Sequence, residues 1–135
     1  ITIHSDATRT IPGSRFYIHA ADVADAMHFL LQLDDSKLEA DYGDAKCPKF
    51  NLVGKQEINN LQLAQIIAEA QGKELKYEMM DFHSARPGHD LRYALSGEYM
   101  KNLGWEPKVD LTERIGEVVE WTLQNDRWLR CEDSE

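Results

Sequence analysis

Cysteine is scarce. Cys47 and Cys131 stand far apart in the chain and fit no C-x-x-C or metal-ligand spacing, which reads as two free thiols in a reducing cytoplasm. Long apolar runs are missing, so no segment reads as a membrane span, and the opening Ile1-Thr2-Ile3-His4 lacks the charged-then-apolar order of a targeting peptide. Positive charge is short too. A formal net charge of −9 argues against a nucleic-acid or acidic-membrane partner, because binding a phosphate backbone needs a basic face. That balance still admits a small anionic ligand, which needs only two or three well-placed arginines. No strand is followed by G-x-G-x-x-G, so a dinucleotide-phosphate turn is lacking, and no Ser-His-Asp or zinc constellation stands at workable spacing. Repeats and low-complexity segments are absent as well.

What is present describes an ordinary globular chain. With 135 residues, 42% apolar and 29% charged, one domain with a modest core is expected over 1–135, its acidic tail fraying from about residue 126. The chain has no initiator Met and opens inside what reads as a strand, so the expectation is a fragment whose true N-terminus lies upstream.

Periodicity places the elements. Ile1–His4 and Arg15–Ala20 read as strands, the second running into Asp22 as cap of a helix with Val23, Ala26, Met27, Leu30 and Leu31 on its apolar face. A polar connection, the best candidate for a variable loop, leads to Pro48. Phe50–Gly54 is expected as a short strand, and a helix from Asn59 or Asn60 buries Leu63, Ile66, Ile67 and Ala70 before stopping at Gly72. A strand over Leu75–Met80, an irregular stretch Phe82–Asp90 and a strand-like Leu91–Leu95 follow. A brief helix Ser96–Leu103 closes at Gly104, and the last helix opens at Asp110-Leu111-Thr112-Glu113. Its expected buried face is Leu111, Ile115, Val118, Val119 and Thr122, with Trp105 and Trp121 as core anchors. Short strands alternating with helices make the fold class mixed α/β.

Four stretches carry chemical information. In Arg86-Pro87-Gly88-His89-Asp90, Pro87 fixes one backbone angle and Gly88 permits a tight bend, so the loop can present Arg86 and His89 from a rigid frame. Arg offers a planar fork of donors matched to phosphate or carboxylate oxygens, and His a tunable donor. From these residues alone, a plain Pro-Gly turn with Arg86 paired to a surface carboxylate is the commoner reading, since Pro-Gly turns are common. Arg15, at a strand's mouth, can aim at an anion or be a solvated end. If Asn59 caps its helix, Gln62 is placed for the reciprocal bond and Asn60, at the first helical position, has an amide to offer.

Arg86 to Ala94, RPGHDLRYA, resembles the R-P-G-H-D-x-R-Y-A segment of the dTDP-glucose 4,6-dehydratases, extended short-chain dehydrogenase/reductases of the NAD-dependent epimerase/dehydratase group. In the same order, RFYIHAADVA from Arg15 is similar to the family's Arg-initiated strand and helix start. FNLVGKQEINNL from Phe50 is similar to its Y-N-[IL]-G-x-x-x-E-x-x-N-L, and LGWEP from Leu103 to its L-G-W-x-P. The His of R-P-G-H-D is the discriminating element, because decarboxylase relatives lack it. Departures are Phe16, His19 and Ala20-Ala21 in the first strand, Val53 for a Gly, Ala85 for an Asp and Ser96 for an Asp.

The resemblance implies the small C-terminal substrate-binding domain of the extended, Rossmann-like architecture, with the Rossmann half missing. It also implies a clamp on a nucleotide-diphosphate sugar made by Arg15, Asn60 and the loop Ala85, Arg86, Pro87, Gly88 and His89. The implied reaction oxidises the hexose at C4 with NAD, eliminates water across C5 and C6, and returns the hydride to C6. Its Tyr-x-x-x-Lys pair, catalytic Thr and Asp-Glu pair belong to the missing N-terminal domain, which would also hold the NAD. The expectation is therefore a fragment with no catalytic, cofactor or metal residue of its own, from a cytoplasmic homodimer of deoxysugar biosynthesis. A UDP-sugar epimerase or dehydratase relative, and a stand-alone nucleotide-binding or assembly module, are the alternatives.

Overall fold

The computed structural model describes residues 1–37, 48–85 and 90–129, arranged as two compact units. The expected variable loop falls largely outside the described residues.

The first unit comprises Ile1–Gly13, Asn59–Leu91 and the chain from Thr112 on. Strand β1 (Thr2–Ser5) pairs in parallel with β4 (Glu78–Asp81), Thr2 opposite Glu78 and Ser5 opposite Asp81. The two-residue period sends Ile3 and Ser5 inward. Ser5 is buried without cost because its hydroxyl donates to the Met80 carbonyl at 3.0 Å. Helix α2 (Asn60–Ala70) starts as the sequence predicts. Asn59 accepts from the Gln62 N–H at 2.8 Å and Gln62 Oε1 accepts from the Asn59 N–H at 2.9 Å, a closed capping box. A four-residue helix, α3 (Phe82–Ala85), occupies the start of the stretch expected to be irregular. Helix α5 (Leu111–Gln124) buries Ile115 and Val119 only, while Val118 and Trp121 stay exposed. The i, i+4 stripe is narrower than the expected face, and Trp121 lies against Trp128 instead of in a core, ring centroids 6.4 Å apart. Asp126–Trp128 adds a single 3-10 turn.

The second unit comprises Ser14–Ile58 and Arg92–Leu111. Its core is Ala26, Met100 and Trp105, packed by Ile18, Phe29, Leu30, Phe50, Leu52 and Leu103. Helix α1 (Ala20–Leu31) is capped by His19, whose Nδ1 accepts from the Ala21 N–H at 3.1 Å; Asp22 sits buried in the first turn instead of at the cap. The chain turns into the helix three residues earlier than the Asp signal suggests, because the extended His19 already presents a side-chain acceptor there. Met27 and Leu31 are exposed, so only the Ala26 side of the predicted face is covered. Trp105 anchors the core as expected, its indole N–H donating to Asp25 at 2.8 Å. Helix α4 (Glu98–Leu103) ends at Gly104, whose φ of 104° suits glycine.

A three-stranded sheet in the order β3 (Ile58–Asn59), β2 (Ser14–Arg15), β5 (Arg92–Tyr93) completes the fold. The strands predicted over Arg15–Ala20 and Leu91–Leu95 shrink to two residues each, and Phe50–Gly54 is irregular rather than extended in a sheet. Gly54 is used for close approach: a Cβ there would run into the Tyr17 carbonyl. The mixed α/β class stands.

Candidate functional site

β2 and β5 run parallel with Ser14 opposite Arg92 and Arg15 opposite Tyr93. Successive residues of a strand face opposite sides, so the Ser14–Arg92 pair and the Arg15–Tyr93 pair occupy opposite faces. On the first face, Arg92 forks onto Glu57, Nε to Oε1 at 2.7 Å and Nη2 to Oε2 at 2.8 Å, and Ser14 Oγ donates to the same Oε1 at 2.6 Å. The Arg92 fork, with help from Ser14, holds the Glu57 carboxyl down at about 2. On the second face, the Arg15 guanidinium carbon lies 4.3 Å from the centre of the Tyr93 ring, and its Nη1 donates to the Ser14 carbonyl at 2.6 Å. A cleft of about 310 Å³ opens here, lined by Arg15, Phe16, Leu52, Val53, Tyr93 and Leu95. An apolar wall under a half-buried cation suits a ligand with an anionic group beside a less polar body.

Asn60 opens α2 in the other unit, half-buried, its backbone N–H donating to the Gly13 carbonyl at 2.8 Å. Ala85 closes α3, a turn held by the Ser84 hydroxyl on the Asp81 carbonyl at 2.7 Å and by the His83 N–H on Asp81 Oδ1 at 3.0 Å. Arg86, Pro87, Gly88 and His89 lie outside the described residues. The structure thus brings Arg15 together with Tyr93 on one face and Glu57 together with Arg92 on the other. Sequence reasoning quoted those three within its motifs without giving them a role; the opposite charges of Glu57 and Arg92 were the available signal. The sequence also holds one Tyr-x-x-x-Lys spacing, Tyr42 to Lys46, outside the described residues. Spacing by itself assigns it no chemistry. Among the described residues no group of three His, Cys, Asp or Glu could hold a metal ion, and no helix is long and apolar enough to cross a membrane.

No protein-family model matches the chain. A curated relative does: the mouse dTDP-D-glucose 4,6-dehydratase is 32% identical over 123 residues, which is 87% of this chain and 32% of that protein. Along most of its length the chain is similar to the dTDP-glucose 4,6-dehydratases. It spans about a third of the length of the family members it matches. Solved structures agree on the fold. The dTDP-glucose 4,6-dehydratase of Bacillus anthracis, in complex with NAD, matches 94% of the chain and 35% of its own length, with a TM-score of 0.65 and 25% identity. The UDP-glucose 4-epimerase of Thermus thermophilus, also in complex with NAD, matches 89% of the chain and 34% of its own length, with a TM-score of 0.64 and 25% identity. The small mixed α/β architecture is that of extended short-chain dehydrogenase/reductases.

Proposed function

We propose that these 135 residues form the single C-terminal substrate-gripping domain of an NAD-dependent dTDP-glucose 4,6-dehydratase-like lyase. The nucleotide-diphosphate sugar is held by Arg15, Asn60 and the Ala85, Arg86, Pro87, Gly88, His89 loop. One observation carries the reading: Arg15, the residue expected to meet the diphosphate, stands at the mouth of an apolar cleft with its guanidinium over Tyr93, a residue of the resembling R-P-G-H-D-x-R-Y-A segment. The identity to mouse dehydratase along most of the chain supports the same assignment.

Two Arg forks with amide and imidazole donors suit pyrophosphate oxygens, because guanidinium geometry matches two oxygens at once. Such contacts are made alike to the bound and the reacting sugar, so they set affinity and orientation. NAD, bound by the N-terminal domain, supplies the hydride acceptor for C4 and the donor for C6. The catalytic residues lie in that domain, and the whole enzyme is a cytoplasmic homodimer. The rival reading, a UDP-sugar epimerase, is favoured by the fold match to the Thermus enzyme.

One experiment separates the two. Incubated with dTDP-glucose and NAD, the intact enzyme should release a product lighter by one water, seen by mass spectrometry; an isobaric sugar product from UDP-glucose would point to the epimerase. In the same assay Arg86→Ala should lower kcat/KM about thirtyfold or more, mainly through KM, since a truncated buried charge pair costs roughly 2–5 kcal/mol. An unaltered KM would return Arg86 to a plain Pro-Gly turn.

A further inference from the structure

We infer that Tyr93 is a positioning residue for Arg15, and that the Glu57–Arg92 bridge with Ser14 is the lock that keeps the two in register. The inference rests on the proposed role of Arg15 in gripping a nucleoside diphosphate. β2 and β5 pair over two residues only, so backbone hydrogen bonds alone hold the register weakly. A slip of one residue would put Arg15 opposite Arg92, on the wrong face. Glu57 prevents it by binding Ser14 and Arg92, the residues paired across the ladder, through one carboxylate.

With register held, the Tyr93 ring presents its face to the guanidinium carbon at 4.3 Å from the ring centre. The attraction is between the cation and the face of the ring, so Tyr93 can fix the side chain's direction without serving as its hydrogen-bond acceptor. The Ser14 carbonyl, accepting from Nη1 at 2.6 Å, adds a second restraint on the guanidinium. Tyr93 is itself 47% exposed, which makes it a ledge at the cleft rather than a core residue whose loss would empty the interior.

The test is a double-mutant cycle on the intact enzyme, with dTDP-glucose as substrate. Tyr93→Leu should raise KM by about 3- to 30-fold with little change in kcat, the range expected of a cation–π contact between exposed and desolvated settings. Tyr93→Phe, which keeps the ring, should stay within about twofold of the parent. In the Arg15→Ala background, Tyr93→Leu should add nothing further. If it lowers affinity equally there, Tyr93 acts independently of Arg15 and the inference fails. An Arg15→Ala enzyme with unaltered KM overturns the clamp role of Arg15 and this inference with it; a raised KM for Arg15→Ala, with Tyr93→Leu silent in the otherwise unaltered enzyme, overturns only the inference. A second readout on the 135-residue chain needs no ligand. The Arg15 Nε–Hε resonance should be shifted upfield by the ring, move to an ordinary position in Tyr93→Leu and remain shifted in Tyr93→Phe. An ordinary position in the parent chain would overturn the stacking itself.

Discussion

Glu57 shows what a single side chain contributes. Read along the chain, it is one acidic residue among many; placed, it carries three donated hydrogen bonds from Arg92 and Ser14. Its carboxyl is lowered from an ordinary 4.5 to about 2. A depressed folded-state value means that the bridge's stabilisation is fully present above about pH 4.5 and is lost as pH falls through about 2. Carbon-13 titration should therefore find the Glu57 carboxylate still ionised at pH 3, and an ordinary midpoint would show the bridge absent in solution. Asp6 should titrate alongside it near 2, held down by the Thr8 hydroxyl and the Ile11 and Thr10 N–H groups. Trp105 is the opposite kind of residue, 4% exposed in the core of its unit. Trp105→Ala should cost about 3–5 kcal/mol by chemical denaturation, since the remaining side chains can only partly collapse into the space.

Among the elements, helices were more legible than strands. The capping box at Asn59 and Gln62 and the glycine stop at Gly104 are local signals, decided within a few residues of backbone, and both appear where expected. Asn59→Ala should destabilise by about 1 kcal/mol and fray the first turn of α2, seen as faster amide exchange at Asn60 to Gln62. The strands over Arg15–Ala20 and Phe50–Gly54 were overread, because alternating apolar residues there pack against the Trp105 core without forming ladders. Tight backbone approach replaces pairing at Gly54. Gly54→Ala should destabilise by about 2 kcal/mol or more, because the neighbour in the way is the Tyr17 backbone, which cannot swing aside like a side-chain end. A neutral Gly54→Ala would mean that this approach is looser in solution.

For the whole molecule, the prediction concerns the cofactor. Isothermal titration of the 135-residue chain with NAD should give no binding in the micromolar range, because no G-x-G-x-x-G turn opens a helix in its sequence. Heat of binding with a micromolar midpoint would require a nucleotide site of another kind. By itself the sequence determined the fold class, the start of α2, the stop of α4 and the resemblance to the dehydratases, since each depends on local backbone chemistry or on motifs read in order. Only the tertiary structure decided which apolar faces are covered, with Ala26 buried but Leu31 exposed, Val119 buried but Trp121 exposed. It also decided that Arg15 meets Tyr93 and that Glu57 meets Arg92. Those pairings join residues 35 or more apart, the first through the parallel register of β2 and β5 and the second through a side-chain bridge, and neither depends on the neighbours of either residue along the chain.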